Sequence, residues 1–122
     1  MQNNILKFVD QSFPWLFSLT FAYAFLQNPT LQFIAQIIVL MAVVLVLKRI
    51  IGRKRPNKKD YYSFPSGHSA LAWFIAWNLN HPLAYIWAIL VSWSRVYYLH
   101  HWWSDVIYSV ILSYWINFLF EG

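Results

Sequence analysis

LQFIAQIIVLMAVVLVL, residues 31–47, carries no charged side chain, and only Gln32 and Gln36 break its apolar run. A membrane-barrel strand would alternate polar and apolar positions, and this stretch does not. Its length approaches the ~20 apolar residues that take a helix across a bilayer core. A helix that is apolar on every side needs an apolar surrounding. Read as a membrane span, this stretch sets the fold class for the rest of the chain.

The same texture recurs outward from it. Spans read at 13–26, 31–48, 67–79, 83–99 and 104–120, with Pro14 tolerated in the first turn of the first. QNPT (27–30) and NHP (80–82) are turns, and GRKRPNKKDYYSFPSG is the one long polar connection. The expected fold is all-α, an integral membrane helical bundle of about five transmembrane helices, with residues 1–122 forming a single membrane-embedded domain. Ahead of the first span, NNILKFVDQS (3–12) sets Ile5, Phe8 and Val9 at helical spacing. It reads either as an N-terminal interfacial helix or as an extension of the helix that follows.

Composition agrees. The chain is 60% hydrophobic, 21% aromatic and only 11% charged, against about 25% charged in ordinary soluble domains. One small core could not hide that much apolar surface. With no cysteine, disulfides and thiolate chemistry are excluded. The N-terminal stretch MQNNILKFVDQSF lacks the pattern of a cleaved signal peptide.

The net charge of +5 is concentrated: seven of the nine Lys and Arg lie between Lys48 and Lys59. Placed directly between two apolar spans, this cluster suits lipid phosphates and not nucleic acid. Counting crossings puts the basic loop, PSGH (65–68) and SRVYYLHHWWSD (94–105) on one membrane face. Three polar clusters therefore converge.

Their spacing suggests chemistry. His101 and Asp105 are four apart and share a helix face. A carboxylate there can take the proton of one imidazole nitrogen and leave the other free to attack. His100 has no acid at that offset and reads as an interfacial histidine. Arg95 can fork onto two phosphate oxygens. Ser66 looks like a helix cap, Gly67 permits close approach of an anion to the helix N-terminus, and His68 is placed to donate a proton.

KRIIGRKRP (48–56) is Lys-x6-Arg-Pro, PSGH is uninterrupted, and SRVYYLHHWWSD is Ser-Arg-x5-His-x3-Asp. Together, over roughly residues 31–120, they resemble the tripartite signature of the type 2 phosphatidic acid phosphatase superfamily, which also contains vanadium haloperoxidases. The resemblance implies that His101 is a nucleophile forming a phosphohistidine, that Asp105 orients it, and that His68 protonates the leaving oxygen. It assigns Lys48, Arg55, Arg95, Ser66 and the Gly67 amide to the phosphate. No metal and no cofactor are implied, and the remaining carboxylates, Asp10, Asp60 and Glu121, are scattered. Membrane members usually have six spans where five are read here, which leaves open how the lipid tail is enclosed and whether a second copy of the chain, in a homo-oligomer, supplies the missing wall.

The implied activity is hydrolysis of a membrane lipid phosphate monoester or diphosphate: undecaprenyl diphosphate, phosphatidylglycerophosphate, phosphatidate or a lipid A phosphate. Alternatives are a lipid-to-lipid phosphotransferase and a non-catalytic lipid-binding subunit; a haloperoxidase would be soluble and much larger. The expected location is the cell (inner) membrane, multi-pass, with a lipid phosphate substrate and membrane lipids as partners and no nucleic acid. Every Lys and Arg falls on the active-site face, which places that face in the cytoplasm by the positive-inside rule. The family resemblance points instead to the outer side of the inner membrane. The aromatics around the site (Tyr61, Tyr62, Phe64, Tyr97, Tyr98, Trp102, Trp103) read as an interfacial belt or as a platform for the lipid head.

Overall fold

In a computed structural model that describes residues 4–27 and 29–118, five helices follow one another: α1 (Asn4–Gln27), α2 (Leu31–Ile51), α3 (Gly67–Leu79), α4 (Pro82–Tyr97) and α5 (Trp103–Phe118). No strand occurs among the described residues. The end of the expected fifth span, residues 119–120, lies outside them, as do Asn28 of the first turn, Glu121 and Gly122.

The helix ends follow local chemistry. Thr30 caps α2 by accepting the Phe33 amide at 3.2 Å. Gly52 closes it at φ 59°, returning its N–H to the Lys48 carbonyl; the left-handed region suits a residue without Cβ. Asn80 ends α3 in the same conformation, and Pro82 occupies the first turn of α4, where its missing N–H is harmless. α4 stops at Tyr97, short of the expected 99, because Leu99 at φ 61° turns the chain. At α5 the Asp105 carboxylate reaches back to the Trp102 amide at 2.8 Å, the reciprocal half of a capping box.

Of the two readings for the segment ahead of the first span, the structure takes the second: residues 4–12 begin a continuous α1 and form no separate interfacial helix. They bury Leu6 and Val9 and turn Ile5 and Phe8 outward. Pro14 therefore sits in the interior of α1 and not in a first turn. It deprives the Asp10 carbonyl of its helical donor.

α3, only 13 residues long, is the centre of the bundle and packs against all four other helices. Its small residues make that possible. Ala70, Phe74 and Ile75 join Phe33, Leu40, Val44 and Ile116 in one core cluster; Ala72 and Ala76 join Val9, Phe13, Ala88 and Val91 in another. Polar ties cross between helices: Trp73 Nε1 to Ser92 at 3.0 Å, Trp77 Nε1 to Ser113 at 3.2 Å, and the buried Gln36 amide to the Asn117 carbonyl at 3.0 Å. The outside is the reverse of a water-soluble surface. Leu31 is 88% exposed, and Trp15, Leu26, Ile50, Leu83 and Trp115 also stand out from the bundle. Among the described residues α2 is the one helix both long and apolar enough by itself to cross a membrane.

Candidate active site

The long connection between α2 and α3 folds over one end of the bundle and is sewn to the segment that joins α4 to α5. The Asn57 amide bonds the Leu99 carbonyl at 3.1 Å, and Trp102 Nε1 bonds the Lys54 carbonyl at 2.8 Å. The Ser63 amide returns to the Arg53 carbonyl at 3.0 Å. This stitching carries the three motifs to one place.

His101 is 2% exposed. Its Nδ1 lies 2.6 Å from the Ser63 carbonyl oxygen, and its Nε2 lies 3.4 Å from Arg55 Nη1. These contacts fix the tautomer. A carbonyl can only accept, so Nδ1 carries the proton; a guanidinium can only donate, so Nε2 presents its lone pair. Burial holds the imidazole below its ordinary value of 6.5, partly offset by Asp105 and the Ser63 carbonyl.

Asp105 stands 3.8 Å from Nδ1, beyond hydrogen-bond distance. The acceptor for the Nδ1 proton is thus the Ser63 main chain, while the carboxylate takes up other donors. The Ser63 hydroxyl and the Trp102 amide donate to Oδ2, and Arg53 Nη1 donates to Oδ1 at 3.1 Å. Asp105 is completely buried, and Arg53 supplies its counter-charge while lying over the Trp102 ring at 5.5 Å.

The basic residues arrive from different elements. Lys48, in the last turn of α2, donates to the Tyr62 carbonyl at 2.8 Å and the Pro65 carbonyl at 2.7 Å. Arg55 is held by Asp60 at 2.6 Å and by the His100 carbonyl at 3.0 Å. Burial works against the charge on the Asp60 carboxyl, but the Tyr62 amide and Arg55 outweigh it and hold it below the usual carboxylate range. Arg95, near the end of α4, donates through Nη1 to Asp10 of α1 at 3.0 Å.

PSGH opens α3 as expected for a helix start. Ser66 is buried and spent on structure: its hydroxyl accepts the Ser69 amide at 3.3 Å, and its own amide donates to Ser109 at 2.8 Å. The Gly67 and His68 amides occupy the first turn, where no helical carbonyl can take them. A Cβ at Gly67 would meet only Val44 Cγ1 at 3.9 Å, so the protein itself leaves room there. His68 is half-buried, its ring packed on Phe13 with centroids 4.3 Å apart, within electrostatic reach of Arg95, His101 and Lys48. Among the described residues no three acidic or histidine side chains gather as metal ligands would.

An apolar groove of about 630 Å³ lies between α1 and α2, lined by Phe17, Phe21, Ile38, Met41, Leu45 and Leu71. Leu45 precedes Lys48 by one turn of α2, and Leu71 follows His68 by one turn of α3.

Asp10, Arg53, Ser63 and Ser109 were not singled out from sequence. A signal existed for two of them. The three described carboxylates each pair with an arginine, Asp10 with Arg95, Asp60 with Arg55 and Asp105 with Arg53. In so apolar a chain, each carboxylate needs such a partner. Ser63 acts through its main chain and has no signature.

Among curated proteins, the undecaprenyl-diphosphatase of Sulfolobus acidocaldarius is 42% identical over 71 residues, a match covering 52% of this chain and 34% of the relative. The chain thus spans about a third of that relative's length. No solved structure matches significantly. A family model described as the PAP2 superfamily matches residues 29–120. That stretch holds Lys48, His68, His101 and Asp105 together with α2 to α5, and on this match the chain belongs to the PAP2 superfamily.

Proposed function

We propose that the chain is a multi-pass membrane phosphatase of lipid phosphate monoesters or diphosphates, working through a phosphohistidine on His101. The observation that carries this reading is the tautomer of His101: Nδ1–H tied to the Ser63 carbonyl, and the Nε2 lone pair turned toward Arg55. A neutral imidazole so oriented is a nucleophile ready to attack.

In the first step Nε2 attacks phosphorus. Arg55 leaves the lone pair and takes up phosphate oxygens, joined by Arg95, Lys48 and the amides of Gly67 and His68. These cations spread the charge of the transferring phosphoryl group without a metal ion. The bond to the leaving oxygen breaks as His68 protonates it. The product that departs is a lipid alcohol from a monoester, or a lipid monophosphate from a diphosphate. In the second step water, deprotonated by His68, attacks the phosphohistidine; the P–N bond breaks and inorganic phosphate leaves. The groove between α1 and α2 suits the hydrocarbon tail, since it is apolar, open to the side and lined by Leu45 and Leu71, each one turn along its helix from Lys48 and His68 respectively. The name of the curated relative makes polyprenyl diphosphates the first class to assay.

All five helices are read as membrane crossings within one domain, supported by the exposed apolar belt. Lys7, Arg49, Lys54, Lys58 and Lys59 take no part in the ion pairs of the described residues, yet they share the site's end of the bundle. That excess supports a cytoplasmic site.

The test is a panel of lipid phosphates and diphosphates given to purified protein in detergent, with released inorganic phosphate measured. Rapid quench with a ³²P-labelled substrate should trap a protein label stable to base and lost in acid. Release of phosphate without any such label would reject the phosphohistidine, and label passed to a second lipid instead of water would identify a transferase.

A further inference from the structure

The strongest observation left unused is the ion pair between α1 and α4. Asp10 lies outside the stretch that the family model matches, yet its Oδ1 accepts from Arg95 Nη1 at 3.0 Å. Both side chains are shielded, Arg95 13% and Asp10 23% exposed. The contact uses one guanidinium nitrogen. Arg95 Nε is buried and has no hydrogen-bond partner.

A buried donor without an acceptor is costly unless something arrives to take it. Nε and the Nη beside it form the edge with which a guanidinium forks a phosphate. Asp10 takes the opposite end of the group and so makes no use of this edge. One turn further along α1, Phe13 packs on His68. A single face of α1 therefore touches both a basic residue and the acid of the site.

We propose that Asp10 is a positioning residue, which fixes the Arg95 guanidinium so that its Nε edge meets the substrate phosphate. This rests on the phosphatase reading above, and it assigns α1 a role in the site beyond covering it. A long arginine side chain has several rotamers, and phosphate binding must otherwise select one of them. The carboxylate makes that selection in advance.

The experiment is inhibition of the purified enzyme by vanadate and by inorganic phosphate, with kcat and KM on a lipid phosphate, for Asp10→Ala, Asp10→Asn, Arg95→Ala and the double variant. Asp10→Ala should weaken vanadate binding about tenfold, a coupling usual within one ion-pair network. It should lower kcat more than it raises KM, because the fork tightens in the transition state. Asp10→Asn keeps an acceptor oxygen and should recover part of the loss. In the Arg95→Ala background, Asp10→Ala should add nothing. Additive losses would mean that Asp10 only holds the bundle together and would overturn the proposal. Tighter vanadate binding in Asp10→Ala would also overturn it, making Asp10 a competitor of phosphate. If the wild-type protein hydrolyses no lipid phosphate and binds neither anion, the functional reading falls first. If it does both and Asp10→Ala matches it, only the proposal falls.

Discussion

At the scale of single residues, the proposed mechanism turns on His101. His101→Ala should abolish turnover and the acid-labile label while the protein still folds in detergent, with a lower melting temperature from the buried ring and the lost Ser63 bond. Burial depresses the imidazole below 6.5, so the neutral, attacking form persists as pH falls toward that value. The acid limb of kcat/KM assigned to His101 should therefore lie below about pH 6.5. The same depression makes the unfolded chain bind more protons than the folded one in that range. Stability should drop as pH falls through it, and a His101→Ala melt followed from pH 7 to pH 5 should lose that component. Gly67 offers a cleaner probe of the phosphate. Since an added methyl would meet nothing closer than Val44 Cγ1 at 3.9 Å, Gly67→Ala should fold normally. It should still lose about tenfold in vanadate affinity if the anion sits on the first turn of α3; unchanged affinity would move the anion elsewhere. The pairing of His101 with Asp105 was legible as a four-residue offset, but the true acceptor of the Nδ1 proton was not. Side-chain spacing is visible in a sequence, whereas a carbonyl brought from 38 positions away is not.

At the scale of elements, the starts and stops were the readable part. Ser66 before an apolar run marks a helix start by its hydrogen bonding, and the structure uses it that way, while Pro82, read as the end of a turn, is already the first residue of α4. Pro14 misled because proline is informative only about the bond it removes. α1 runs through it, with packing on α3 and α4 sustaining the helix on both sides. Gly52 gives a test at this scale. It lies at φ 59° with nothing within 4 Å of a built Cβ, so Gly52→Ala should destabilise through backbone strain alone. The expected loss is about 1 kcal/mol, read as a lower melting temperature with unchanged activity at permissive temperature.

At the scale of the whole molecule, five helices and the convergence of the motifs at one end followed from counting apolar runs, while the stitching of the two long connections did not. The absence of cysteine makes orientation simple to measure. Asn57→Cys, on the site's end, should resist a membrane-impermeant maleimide in intact cells and react after permeabilisation, whereas Asn80→Cys, at the other end, should react in both. The reverse pattern would put the site outside. The shortness of α3 carries a further consequence. Thirteen residues rise ~20 Å, well short of a hydrocarbon core of ~30 Å. On the proposed reading of α3 as a crossing, with its Asn80 end at one boundary, the other end, bearing Gly67 and His68, stops ~10 Å below the opposite one. Bilayer thickness then becomes a rate-controlling variable. Thin membranes let a lipid phosphate reach His68 with little deformation, and thick ones require the leaflet to dimple around the protein. In vesicles of phosphatidylcholines with progressively longer chains, turnover should fall as the bilayer thickens, at constant substrate mole fraction.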